Sequence, residues 1–149
     1  MADEPKPDPM DVEEVLHRLN EALALQNRSV LQFTHAAGST FGLQFQGLTP
    51  EFRTFAEREL EDTRLLVEKI AALGGDPTTE VRDLTWSADP AKAISTLIDA
   101  EDRTIACLHS VIPPSGQEPR SEALEHLIEH MIMRKQNQVD WMRRATREP

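Results

Sequence analysis

The chain has 149 residues, 39% of them hydrophobic and 5% aromatic, with a formal net charge of −10 and a pI near 4.9. That length supports one domain with a real core, and the acidic balance argues against an unaided nucleic-acid or anionic-membrane binder, either of which needs a basic face. No apolar run reaches the roughly 18 residues of a membrane span, the opening MADEPKPDPM lacks the basic and apolar regions of a secretory signal, and Cys107 is the sole cysteine, which rules out an internal disulfide.

A cytoplasmic location is therefore expected, with Cys107 acting as a small interior hydrophobe. Residues 1–10 carry three prolines and alternating charges, the composition of an irregular tail. Residues 11–146 are expected to form an all-α domain. Asp11 precedes Glu14 by three residues, a cap with its capping-box acid, and Leu16, Leu19, Leu23, Gln26, Val30, Phe33 and Ala37 follow in steps of three and four. Gly38, Gly42 and Gly47 loosen the chain, and Thr49-Pro50 restarts a helix that runs to Leu73 and stops at Gly74-Gly75. Its seam reads Phe52, Phe55, Glu59, Asp62, Leu66 and then Ile70 or Leu73, acidic where it should be apolar.

Residues 76–89 are too long for a tight turn between antiparallel neighbours. Extended, the segment from Gly74 onward reaches roughly 50 Å, enough to cross the bundle and start the third helix parallel to the second. Asp89-Pro90 caps that third helix, whose seam carries Ile94, Leu97, Glu101, Ile105, Leu108 and Ile112. Pro113 and Pro114 end it, and Ser121 is the expected cap of the fourth helix. The fourth seam reads Leu124, Ile128, Met131, Lys135, Gln138, Met142 and Ala145, again polar at its centre.

Gln26, Glu59, Asp62, Glu101, Lys135 and Gln138 thus occupy mid-helix core positions, and antiparallel packing brings them to one level. Buried polar groups need partners. An acid from each of two helices, plus an acid followed three residues later by a ligand on the other two, is the arrangement that carboxylate-bridged two-metal bundles use. Here that pattern is only partly met.

The runs Gln32-Phe33-Thr34-His35-Ala36, Leu73-Gly74-Gly75-Asp76-Pro77 and Val139-Asp140-Trp141-Met142 are similar to those of bacterioferritin-related members of the ferritin-like superfamily. The resemblance spans roughly residues 12–145 and implies a ferritin-like four-helix bundle with a long crossover between helices two and three. Residue by residue it makes Glu59 and Glu101 metal-ligand glutamates and Asp62 the occupant of a histidine position. Gln26 then replaces a terminal glutamate, Lys135 a bridging glutamate and Gln138 the second histidine. Phe33 stands for a tyrosine, and Leu60 for a haem-ligating methionine, so no haem is expected. Absence of the short fifth helix that closes the large cages implies a small oligomer, with a dimer through the first two helices covering Val15, Leu25, Val30 or Leu31, and Leu65.

Two irons carry about four positive charges, which three acids and a lysine do not cancel. The sequence therefore predicts a vestigial centre with no cofactor, in which Lys135 donates to Glu59, Asp62 or Glu101 in place of the metals. The expected function is that of a structural, binding or accessory subunit without ferroxidase activity. The alternative is an iron-handling or metal-dependent oxidoreductase with one divalent cation (iron, manganese, magnesium or calcium) on the carboxylates and amide oxygens. His126-Leu127-Ile128-Glu129-His130 matches the H-x-x-E-H zinc-protease signature, yet both histidines lie across the helix from Ile128 and are assigned to solvent. Phe33, Phe41, Phe45, Phe52 and Phe55 are assigned to core or interface.

Overall fold

The computed structural model describes residues 8–147. Four helices make up the fold: α1 (Val12–Ser39), α2 (Thr49–Ala72), α3 (Pro90–His109) and α4 (Pro119–Ala145), with short 3-10 turns at Gln46–Leu48 and Pro113–Ser115. The all-α expectation holds, and no helix among the described residues is long and apolar enough to cross a membrane.

Local chemistry sets the helix ends. Asp11 accepts from the Glu14 amide at 3.1 Å and Asp89 from the Ala91 amide at 3.1 Å, each satisfying an N–H that the first turn leaves unpaired. Ser121 does not cap α4, which starts two residues earlier after Glu118; its hydroxyl instead donates into the preceding turn, to the Ser115 carbonyl. Gly74 closes α2 with φ +88°, a conformation that costs a residue with a Cβ.

The tail expected over residues 1–10 falls mostly outside the described residues, but its last three are packed. Met10 is buried, the Gln117 amide donates to the Asp8 carbonyl at 2.8 Å, and the Asp11 amide donates to the Pro114 carbonyl at 3.0 Å. Gly116 makes this possible. It sits at φ +75°, and a Cβ there would lie 2.6 Å from the Pro9 carbonyl oxygen.

Hydrogen bonds trace the crossover between α2 and α3. Asn20 binds the Asp76 carbonyl and the Thr78 amide, Asn27 the Glu80 carbonyl, Ala24 accepts from the Arg82 amide, and Gln32 donates to the Thr85 carbonyl. The segment therefore climbs α1 from its first half to its second, delivering α3 to the opposite end, parallel to α2. It also covers the back of α1, so that almost every residue from Ala22 to Ser29 is buried.

Two apolar clusters fill the interior. One holds Leu19, Leu23, Leu66, Ile70, Leu108, Ile128 and Met131; the other holds Phe33, Phe52, Phe55, Ile94, Leu97, Val139 and Met142. In the second, the Phe55 and Trp141 rings meet edge-on at 5.4 Å and Phe33 and Phe55 at 5.6 Å. Each fully buried Leu or Phe contributes roughly 1.5–3 kcal/mol. Phe41, assigned to core or interface, is not in the core, since the turn after α1 carries it outside. Between the clusters lies the polar layer.

Candidate metal centre

Gln26, Glu59, Asp62, Glu101, Lys135 and Gln138 are all buried. Five of them, with Ser29, form one connected network. Lys135 Nζ reaches across from α4, 2.6 Å from Glu59 Oε2 and 2.8 Å from Glu101 Oε2, with Ser29 Oγ at 3.5 Å. Gln138, one turn along α4, donates to Glu59 Oε1 at 2.6 Å. Gln26 donates both to Glu59 Oε2 and, at 3.0 Å, to the Glu59 backbone carbonyl. Ser29 donates to Glu101 Oε1.

Glu59 is thus the hub, receiving donors on both carboxylate oxygens. Its charge also fixes the amide orientations of Gln26 and Gln138, because flipping either would turn a carbonyl onto a carboxylate. The cost is that Gln26 Oε1 and Gln138 Oε1 are buried without a hydrogen-bond partner.

Asp62 stands apart from this network. It points to the layer's edge, where Arg134 grips it with Nη2 to Oδ1 at 2.6 Å and Nε to Oδ2 at 3.2 Å. Of the three acids expected as partners, Lys135 thus serves Glu59 and Glu101, and Asp62 is served by Arg134. One turn beyond Glu59, Asp62 lies closer to the α2–α4 surface, within reach of the residue that precedes Lys135. Arg134 is not on the seam, so the heptad pattern gave no sign of it.

A second cation was also missed. Arg28 is fully buried, donating to the Ala100 carbonyl at 2.8 Å and to Thr104 Oγ1 at 3.2 Å, while its Nε has no partner. By heptad position it reads as surface, but the crossover buries that face of α1. Only the length of the crossover hinted at this. Ser29 carried a better signal, since it follows Gln26 by three residues on the same helical face.

The electrostatics follow from burial. Desolvation raises the Glu101 carboxyl above its usual range, against the opposing pull of Lys135, and the nearby Glu59 charge adds to the rise. Burial works against the Lys135 ammonium as well, but the Glu101 and Glu59 carboxylates outweigh it and hold the lysine pKa above its ordinary value. Asp62 is raised because its burial exceeds the lowering effect of Arg134. Burial lowers Arg28, an effect that Glu101 opposes, so Arg28 is within Coulombic reach of the layer.

His126 and His130 are exposed on α4, with His126 Nε2 3.7 Å from Glu122, as the reading of the zinc-protease-like run expects. Among the described residues, no group of three or more His, Cys, Asp or Glu side chains is arranged to hold a metal ion.

Comparison with known proteins places this geometry. A ferritin-like, diiron-carboxylate protein from Bacillus anthracis str. Ames superposes with a TM-score of 0.85 at 26% identity, covering 92% of this chain and 98% of that one. The dodecameric thioferritin of Bacteroides fragilis, a bacterioferritin-related protein, gives 0.80 at 16% identity, over 91% of this chain and 86% of its own. The bacterioferritin of Desulfovibrio desulfuricans, which has a diiron site, gives 0.79 at 21% identity, over 89% and 78%. No curated protein matches the sequence. The family description "Ferritin-like domain" matches residues 16–148, and with it the four helices, the crossover and the polar layer find their common explanation: the chain belongs to the ferritin-like family.

Proposed function

We propose that this chain is a ferritin-like protein without ferroxidase activity, in which a fixed ionic layer stands where relatives use metal chemistry, and that it serves as a structural, binding or accessory subunit. The observation that carries this reading is the fully buried Lys135 ammonium, 2.6 Å from Glu59 and 2.8 Å from Glu101. The donor set does not fit two metal ions. Every carboxylate oxygen of Glu59 and Glu101 already accepts a hydrogen bond, and Asp62 is held by Arg134. A cation entering the layer would have to displace a like charge from both glutamates. A single divalent ion faces the same obstacle. Leu60 in place of a methionine supports the absence of haem.

The subunit role is supported by an apolar strip that the fold leaves in solvent on the first two helices. Leu60 and Val67 are exposed on one face of α2 and Leu31 on α1, and Leu60 borders a hollow of about 360 Å³ lined in part by Val30, Ala37 and Ala56. This strip differs from the one expected from the sequence, because Val15 and Leu25 are buried within the subunit, Val15 in the core itself. A twofold contact through α1 and α2 would cover it.

Elemental analysis of untagged protein, paired with a ferrous-oxidation assay in air, tests the reading. Metal well below one equivalent and no oxidation above the buffer rate are expected. Gln26→Glu, Lys135→Glu and Gln138→His combined should gain iron binding that the parent lacks. Near-stoichiometric iron and rapid oxidation in the parent would overturn the proposal and favour a metal-dependent oxidoreductase.

A further inference from the structure

The whole-chain charge hides an asymmetry between the two ends of the bundle. One end collects the C-terminus of α1, the N-termini of α2 and α3, and the C-terminus of α4. The loop there, residues 40–48, and the helix turns that flank it, residues 36–39 and 49–50, contain no charged residue. At the tip Leu43 is 98% exposed and Phe41 59% exposed. Behind them a groove of about 640 Å³ runs between Phe45, Ile94, Ile98 and Arg147, so the loop, α3 and α4 meet at one surface.

Around this apolar tip the charges are mostly positive. Arg53, Lys92 and Arg144 are exposed and form no ion pair among the described residues, and Arg147 follows the end of α4, whereas Arg143 on its last turn is paired with Asp102 at 2.5 Å. Among the described residues the acids nearest this end are Glu51 and Asp89, the latter engaged in capping α3, with Asp140 one to two turns back along α4 and Asp102 neutralised by Arg143. At the opposite end the sign reverses, with Asp11, Glu13, Glu14, Glu118, Glu122 and Glu125 clustered where α1 and α4 begin.

We propose that the 41–45 loop and its basic rim form a docking surface for an anionic lipid bilayer, with the bundle standing on this end. Protruding apolar side chains need a soft apolar medium to enter, and a ring of arginine and lysine at headgroup level adds electrostatic attraction. The net charge of −10 does not oppose this. The acidic end is one length of α4 away, roughly 40 Å, several times the Debye length of about 8 Å at physiological ionic strength. A second copy docked end to end is disfavoured, because Arg53, Lys92 and Arg144 of both copies would face one another.

The test is flotation of the full chain with phosphatidylcholine vesicles, with and without phosphatidylglycerol, at low and high salt. Flotation is expected only with the anionic vesicles, and it should weaken as salt rises. Lys92→Ala or Arg144→Ala should lower the affinity roughly fivefold each. Phe41→Ser with Leu43→Ser should abolish flotation while leaving the thermal midpoint unchanged, since neither side chain is in the core. Phe41→Trp supplies a fluorophore at the tip, whose emission should shift to the blue on anionic vesicles. Absence of flotation, or flotation indifferent to the Phe41→Ser, Leu43→Ser change, overturns the proposal. So does a fall in solution mass on making that double change, which would assign the tip to a contact between copies.

Discussion

Two ion pairs cross the same level of this bundle, and they are built from neighbouring residues. Lys135 pairs with Glu59 and Glu101 in a fully buried layer, whereas Arg134 pairs with Asp62 at its edge, with a third of the arginine side chain in solvent. Geometry alone would rank them equal, since the shortest contact in each is 2.6 Å. Burial separates them. In the dry layer, removing one partner leaves charges with no water to solvate them; at the edge, water can replace the arginine.

The largest effect is expected from Lys135→Met. Glu59 and Glu101 would lose their cation inside an apolar core, at a cost of about 3–5 kcal/mol near neutral pH. Thermal unfolding should show the midpoint falling by roughly 10 °C. The pH dependence has a definite sign. Glu101 is already raised in the folded parent, and without Lys135 it rises further, so the folded state of the variant binds protons more readily than the unfolded chain. Its deficit should therefore be full above the carboxylate range and shrink as pH falls through it. In the parent, the raised Lys135 pKa contributes stability that is present below the ordinary lysine value of 10.5 and is lost as pH rises through the folded value. A deficit that persists unchanged in acid would mean that Lys135 matters by its packing and not by its charge.

Arg134→Ala should cost less, about 1–2 kcal/mol after allowing for solvent screening at a partly exposed site. Asp62 would lose the partner that does most to pull its raised pKa back down, with only the more distant Lys135 charge left to do so, and the deficit should again be smaller in acid. Urea unfolding of this variant beside Lys135→Met measures the comparison directly. Equal losses would show that Asp62 belongs to the dry layer.

The sequence made the layer legible but not its division into two pairs. Heptad spacing located all six polar residues because a helix seam is a strict periodic object, and a charged residue on it stands out from apolar neighbours. The same logic fails for Arg134 and Arg28, which lie off the seam. Arg28 is interior because a fourteen-residue connection, residues 76–89, folds back over α1, a tertiary event with no local period. Phe41 shows a different limit, since an aromatic residue near a turn reads equally as core or as interface, and only the path of the turn after α1 carries it outside the core.

The smallest effect is expected when the dry layer is emptied of charge altogether, with Lys135→Met, Glu101→Met and Glu59→Gln combined. Exchanging buried ionic groups for apolar groups of similar volume is often neutral, whereas breaking one partner is not. The existing network has the means to accept the change. A glutamine at 59 presents an amide NH₂ where a carboxylate oxygen was, and a flip of Gln26 or Gln138 would bring its orphaned Oε1 round to receive it. Ser29, released from Glu101, keeps its bond to the Leu25 carbonyl at 3.3 Å. Arg28 loses the Coulombic support of Glu101, so recovery should stop short of the parent by about 1 kcal/mol. The triple variant should thus regain most of what Lys135→Met alone loses, and the acid sensitivity of that loss should vanish with the carboxylates. If the triple variant is as unstable as the single one, the layer is held by the shape of its side chains, and the contrast between the dry pair and the edge pair is one of packing and not of charge.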